Sequence, residues 1–352
     1  MKMVLKEAKH KRVSLPAVMV FVLVALSVIG FVAAAVSDDS LEEVADTGNI
    51  ENVENAPEFD DSFEFTAEDC TSFEQFDPAE KECFYECDTD EECERIEAQI
   101  DAELNSLFED VDFSTFSDGE RPENTEGLST FTILNGRIQG SGATLQDQEI
   151  WDIFVQIAPE DMVQNEIVGY ETYIDSSDGT AAYVAPDESD PTTWILGVNH
   201  DSMYQDGVLD RAEAIRTLIH EMAHILTLGN SQVPADSFGG ACGTIELQEG
   251  CANSDSYIAA FNSQFWASIR DSWPGQDASE DELFDFYDAN QDQFVSDYAA
   301  TNLGEDVAES FTSFVVQGRA SGGEIKDQKI NFFYDYAELV RLRDTIRQNI
   351  AL

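Results

Sequence analysis

The chain has 352 residues, of which 72 are Asp or Glu and 18 are Lys or Arg, for a net charge of −54. A surface this acidic repels nucleic acid and anionic lipid, which excludes polyanion binding, and it repels itself unless salt shortens the Debye length to a few ångströms, the condition of a saline habitat. The length leaves room for one domain of ordinary size behind an export leader and a smaller appendage.

In chain order, Lys2, Lys6, Lys9, Lys11 and Arg12 precede an apolar run from Leu15 to Val36, and Asp38-Asp39 follow. Positive, apolar, then acidic is the order of a signal peptide or signal anchor over 1–36. Ala33 and Ala35 offer an A-x-A cut, which gives a secreted protein; uncut, residues 15–36 are long enough to remain as a membrane anchor. Both outcomes make the rest extracytoplasmic. Residues 37–128 are rich in Asp, Glu, Ser and Phe, with little periodicity, and read as an acidic, partly disordered appendage. Cys70, Cys83, Cys87 and Cys93 lie in it. Outside the cytoplasm an even set reads as two disulfides, and the spacings do not pair as the two C-x-x-C knuckles of a second zinc site. Ile96, Ile100, Leu104 and Leu107 predict a helix over Glu91–Leu107. A propeptide lying across a catalytic cleft is one role open to this appendage.

The remaining chain, 129–352, alternates short strands and helices. Thr130–Leu134 reads as a strand, followed by the turn pair Asn135-Gly136 and the loop Gly140-Ser141-Gly142. A helix fits Thr144 to Ile157, ended by Pro159, and Ile167–Ile174, Thr180–Val184 and Thr193–Val198 read as strands. Trp194–Asn199 is the expected edge strand, able to pair with an extended peptide. His200 at its end is a further candidate to approach a metal, against the plainer reading of an exposed strand-end histidine.

In Leu218-Ile219-His220-Glu221-Met222-Ala223-His224-Ile225-Leu226 two imidazoles stand four residues apart, with a carboxylate after the first. On a helix that spacing puts both on one face, able to bind one Zn²⁺ with Glu221 flanking its open position. Ile215, Leu218, Ile219, Met222, Ala223 and Leu226 supply the helical period, and Gly229 the stop. Cys242 and Cys251 are expected to close a loop beside the cleft. Tyr257–Ile269 reads as helical, and Asp288–Asp292 fails as a calcium loop for want of a sixth-position glycine and a closing glutamate. Within Glu305–Phe314, Glu305 and Glu309 stand one helical turn apart beside the buried stripe Val307, Ala308, Phe311, Phe314, a like-charge pair that a cation would relieve. Leu339, Leu342, Ile346 and Ile350 mark a closing helix, whose neighbours Arg341, Arg343 and Arg347 are expected to pair with carboxylates nearby, the alternative being contact with a substrate carboxylate.

Together, His220–His224 and Tyr298-Ala299-Ala300-Thr301-Asn302-Leu303-Gly304-Glu305-Asp306-Val307-Ala308-Glu309 resemble the gluzincin-type zincin metallopeptidases, among them the catalytic domain of anthrax lethal factor and related bacterial zinc-binding metallopeptidases. The resemblance covers these two segments and the order of elements around them. It implies an α+β, zincin-like domain: a small twisted sheet, an active-site helix and a mostly helical C-terminal part. It implies one Zn²⁺ per chain held by His220, His224 and Glu305, with Glu309 orienting an imidazole and Tyr298 facing the site. A version with a third histidine is excluded, because Thr227 and Asn230 stand where it needs glycine and histidine. The expected function is a secreted or membrane-tethered zinc endopeptidase acting on a peptide or protein substrate, with Glu221 as general base and Tyr298 as a donor to the oxyanion. The alternative is a non-catalytic zinc-binding or adhesin-like cell-envelope protein.

Overall fold

The computed structural model describes residues 11–14, 75–77, 82–87, 89–109, 111–113, 126–175, 180–235, 237, 241–276 and 278–351. The apolar run 15–36, the Ala33–Ala35 cut, Cys70 and most of the appendage lie outside the described residues. No described helix is long and apolar enough to cross a membrane. The chain divides into two compact units, Met1–Thr89 and Asp90–Leu352. In the first, β1 (Lys11–Ser14), β2 (Gln75–Asp77) and β3 (Glu82–Cys87) form an antiparallel sheet with β3 in the middle.

The second unit is mixed α+β. It begins with α1 (Asp90–Leu107), whose Ile96, Ile100 and Leu104 are buried as their spacing predicts, and Cys93 within it is disulfide-bonded. Strands β4 (Glu126–Leu134) and β5 (Arg137–Ile138) form a hairpin. Asn135 and Gly136 turn it, both with positive φ (50° and 73°), as a two-residue hairpin turn requires. Helix α2 (Leu145–Ile157) starts at a capping box in which Thr144 and Asp147 satisfy each other's backbone N–H groups. The short α3 (Glu160–Asn165) leads to β6 (Ile167–Ile174), β7 (Ala182–Pro186) and β8 (Trp194–Asn199).

The sheet order is β5-β4-β6-β8-β7, with β6 and β8 parallel and the other pairs antiparallel. Trp194–Asn199 is therefore an interior strand, not the expected edge; the edge is β7, which turns back and pairs outside it from Ala182 opposite Val198 to Pro186 opposite Trp194. Periodicity reports which residues are strands but not their lateral order. Packing of α2 on the sheet runs through Trp151, whose ring centre lies 5.3 Å from that of Tyr170 in β6. Burying each such side chain contributes about 1.5–3 kcal/mol.

After α4 (His200–Met203) and the hairpin of β9 (Tyr204–Gln205) and β10 (Val208–Leu209) comes α5 (Arg211–Leu228), the helix of the histidine pair. Asp210 caps it by accepting from the Glu213 N–H at 3.1 Å. Gly229 ends it, though not in the left-handed conformation that a C-terminal glycine usually adopts (φ −57°). Glycine is needed there for room, since a Cβ would lie 2.6 Å from the Ile225 carbonyl oxygen.

The C-terminal part is helical. Helix α6 (Tyr257–Phe261) runs into a π-helical turn over Asn262–Trp266, and α7 (Glu280–Ala289), α8 (Leu303–Val316), α9 (Ile325–Phe332) and α10 (Ala337–Ile350) follow. Phe261, Phe311, Phe314, Phe332 and Phe333 form one cluster with ring centres 5.3 to 6.2 Å apart. Helix α10 packs on α8 and α1. Its arginines act chiefly on backbone: Arg343 donates to Phe314 O (2.7 Å) and Gln317 O (3.0 Å), and Arg347 to Val315 O (2.6 Å). These are terminal carbonyls of α8, which have no partner within their own helix. Of the expected carboxylate partners, Arg347 also meets Asp101 of α1, and Arg343 meets its neighbour Asp344 at 3.2 Å.

Candidate metal centre

Two packed helices bring the site together. In α5, His220 and His224 are one turn apart, and both rings are buried, with Glu221 fully buried between them in sequence. Helix α8 packs directly on α5 and carries Glu305 in its first turn, where Asn302 caps the helix by accepting from the Glu305 N–H at 3.0 Å.

The candidate ligand atoms converge. His220 Nε2 lies 3.0 Å from His224 Nε2 and 3.0 Å from Glu305 Oε2, and His224 Nε2 lies 3.2 Å from the same oxygen. Among the described residues, these three form the group able to hold a metal ion. A tetrahedral zinc with donors at 2.0–2.1 Å has donor-to-donor edges of about 3.3 Å, so the triangle is close to one face of that tetrahedron. Its chemistry fits as well. His220 Nδ1 is 2.9 Å from Glu309 Oε1, and a carboxylate only accepts, so Nδ1 carries the proton and Nε2 presents a lone pair to the centre. Burial by itself would raise the Glu305 carboxyl; with both rings protonated, the His224 charge and the hydrogen bonds from the two imidazoles outweigh it and hold that carboxyl well below the usual carboxylate range, and a cation at the centre would stand in for those protons.

Glu309 is buried and is fixed in turn by Ser296, whose Oγ donates to its other oxygen at 2.7 Å. Ser296 also accepts from the Ala299 N–H at 3.0 Å, which ties the short 3-10 turn Tyr298–Ala300 to the same network. Through that turn Tyr298 reaches the site, its ring centre 5.9 Å from that of His220. One turn before His220, Arg216 donates to Asp112 O at 3.4 Å and lies 5.5 Å from the Phe113 ring centre, so residues that follow α1 rest on α5.

His200 does not join this group. It stands at the start of α4 with Nε2 3.1 Å from Asp147, whose carboxylate also accepts from Thr172 and from the cap of α2. Two features behind the ligands had no sequence signal. Ser296 is a polar residue among many, 13 positions before the glutamate it holds. Asp306, beside Glu305, is buried against Lys329 of α9 at 2.5 Å and Trp266 Nε1 at 2.6 Å. Only a lysine at 0% exposure would have betrayed that pair, and exposure is not written in sequence. The expected loop disulfide, Cys242–Cys251, is present.

No family model matches the chain, and no curated protein matches it in sequence. Among solved structures it is similar to a crystal structure from Bacteroides caccae described as a "putative zinc-binding metallo-peptidase", with 16% identity over 73% of this chain and 94% of that one and a TM-score of 0.29. A likeness of that size decides nothing about chemistry, so the site stands on its own geometry.

Proposed function

We propose that the protein is a zinc-dependent endopeptidase, secreted or tethered outside the cytoplasm by residues 15–36. The observation that carries this reading is the meeting of His220 Nε2, His224 Nε2 and Glu305 Oε2 within hydrogen-bond distance of one another. These three would hold one Zn²⁺, with Glu309 keeping His220 in its ligating tautomer. Zinc in such a site supplies a polarised substrate carbonyl and a bound water with a pKa near 7.

The rest falls to the chain's own groups. Glu221, adjacent to His220, takes the proton of the attacking water and passes it to the leaving amine. Tyr298 donates a hydrogen bond to the oxygen of the attacked carbonyl as charge gathers there, an interaction typically worth about 2.7–4 kcal/mol. The edge strand β7, packed against α5, offers backbone groups to an extended peptide.

The test pairs metal content with turnover. Purified protein should bind one zinc and cleave peptides, and Glu221→Gln should keep the zinc while losing about 10²–10⁴ of the rate. Identical cleavage by the two proteins would reject this mechanism. Zinc binding without turnover in either would favour the non-catalytic alternative.

A further inference from the structure

The last turn of α5, the ends of β7 and β8, and the loop closed by Cys242–Cys251 line a cavity of about 180 Å³ that is partly open to solvent. Pro186, Pro191, Trp194, Leu228 and Val233 give it apolar walls, and Glu249 lines it as its one ionisable group. It lies next to the metal centre. Leu228 is four residues beyond His224 on the same face of α5, about 6 Å along the axis. Glu249 lies near enough to His224 and Glu305 for both charges to act on its carboxyl, which burial raises above the usual range.

Two facts make Glu249 unusual. It is half-buried against apolar side chains, where its own backbone N–H is hydrogen-bonded to the carboxylate but leaves its charge without a counter-ion. Among the described residues, no Lys or Arg forms an ion pair with it. Pro186 adds a positional argument: a peptide paired along β7 meets a residue with no N–H to donate, so regular pairing stops at the cavity mouth.

We propose that this cavity is the subsite for a Lys or Arg side chain of the substrate, so that the enzyme cleaves peptides beside a basic residue. The aliphatic stem of such a side chain packs against Trp194, Leu228 and Val233, while its cationic head meets Glu249. The net charge of −54 acts in the same direction by raising the local concentration of cationic peptides. This rests on the peptidase reading above, and the test separates the two.

A peptide-library profile of the zinc-loaded protein should show Lys or Arg enriched at a single position flanking the cut. Glu249→Gln should lower the kcat/KM ratio of an Arg peptide over its norleucine counterpart by about ten- to a hundredfold. Glu249→Lys should turn the preference toward Asp and Glu. A profile without basic preference, or one that Glu249→Gln leaves unchanged, overturns the subsite. Calorimetry of the same two peptides on zinc-free protein gives a second readout that needs no turnover. Tighter binding of the Arg peptide, lost in Glu249→Gln, supports the subsite even if cleavage fails and the peptidase reading with it; equal binding of the two peptides overturns it.

Discussion

Nδ1 of His220 lies 2.9 Å from Oε1 of Glu309, a contact between residues 89 positions apart. It fixes which ring nitrogen carries the proton, and so which one is free to ligate. Glu309→Ala should therefore weaken zinc binding by about 10–100-fold, the usual effect of removing such a partner. Competition with a chromophoric chelator measures it. An unchanged affinity would mean that α5 alone orients the ring.

Zinc removal should destabilise the fold. Three buried or half-buried donors crowd together at 3.0–3.2 Å, an arrangement that a cation relieves. With free zinc at about a hundred times Kd, linkage adds about 2.7 kcal/mol of stability. Thermal scans with and without chelator should differ accordingly in Tm, and coincident scans would count against a metal at these residues.

The role given to Tyr298 makes a kinetic prediction. Tyr298→Phe keeps the ring beside His220 and removes only the hydroxyl. The kcat should fall by about 10²–10³ with zinc affinity and KM little changed, because the lost hydrogen bond belongs to the transition state. Equal rates in the two proteins would remove Tyr298 from the chemistry.

The geometry of the candidate site was legible in sequence where its logic is local. His220, Glu221 and His224 declare themselves through a four-residue spacing on one helix, and Glu305 and Glu309 through the same spacing on another. What brings the pairs together is the packing of α5 on α8, for which the sequence offers only two apolar stripes. The strand order was not legible for the same reason: β7 and β8 are both apolar, and only the direction in which the chain turns back between them makes Ala182–Pro186 the edge. Asp210 and Asn302, which cap the two site helices, are common residues in an acidic chain and stand out only once the helices are seen.

A tyrosine–carboxylate pair between α6 and α10 makes stability depend on pH. Tyr257 donates to Glu338 at 2.9 Å, and burial together with that carboxylate pushes its hydroxyl up to about 12 from an ordinary 10.0. A group raised on folding stabilises the protein fully below its unfolded pKa and loses that contribution as pH climbs through the folded value. Wild type should thus be more stable than Tyr257→Phe at pH 9, and the gap should close between pH 10 and 12. Urea midpoints across that range check it. On the acid side, Glu338 is lowered below 4.5 by its own backbone hydrogen bond first and by Tyr257 second, so its share is present above pH 4.5 and fades as pH falls through the lowered value.

The buried pair behind Glu305 gives the largest expected change in stability. Lys329 and Asp306 are both fully buried; the ammonium is 2.5 Å from the carboxylate and 4.0 Å from the Phe294 ring centre, and Trp266 and Ser310 donate to the same carboxylate. Removing only the cation, as in Lys329→Met, strands a carboxylate in an apolar interior and should cost about 3–5 kcal/mol. Replacing both, as in Lys329→Met with Asp306→Leu, removes the stranded charge and should recover most of that loss. It stops short of full recovery because Trp266 Nε1 then lacks its acceptor, a cost of about 1–3 kcal/mol. Urea denaturation of the three proteins decides the matter, and a double variant no more stable than Lys329→Met would show that shape rather than charge holds this region. Since Asp306 follows Glu305 on α8, the single variant should also loosen zinc, whereas a mere loss of packing far from the ligands would leave the metal affinity where it was.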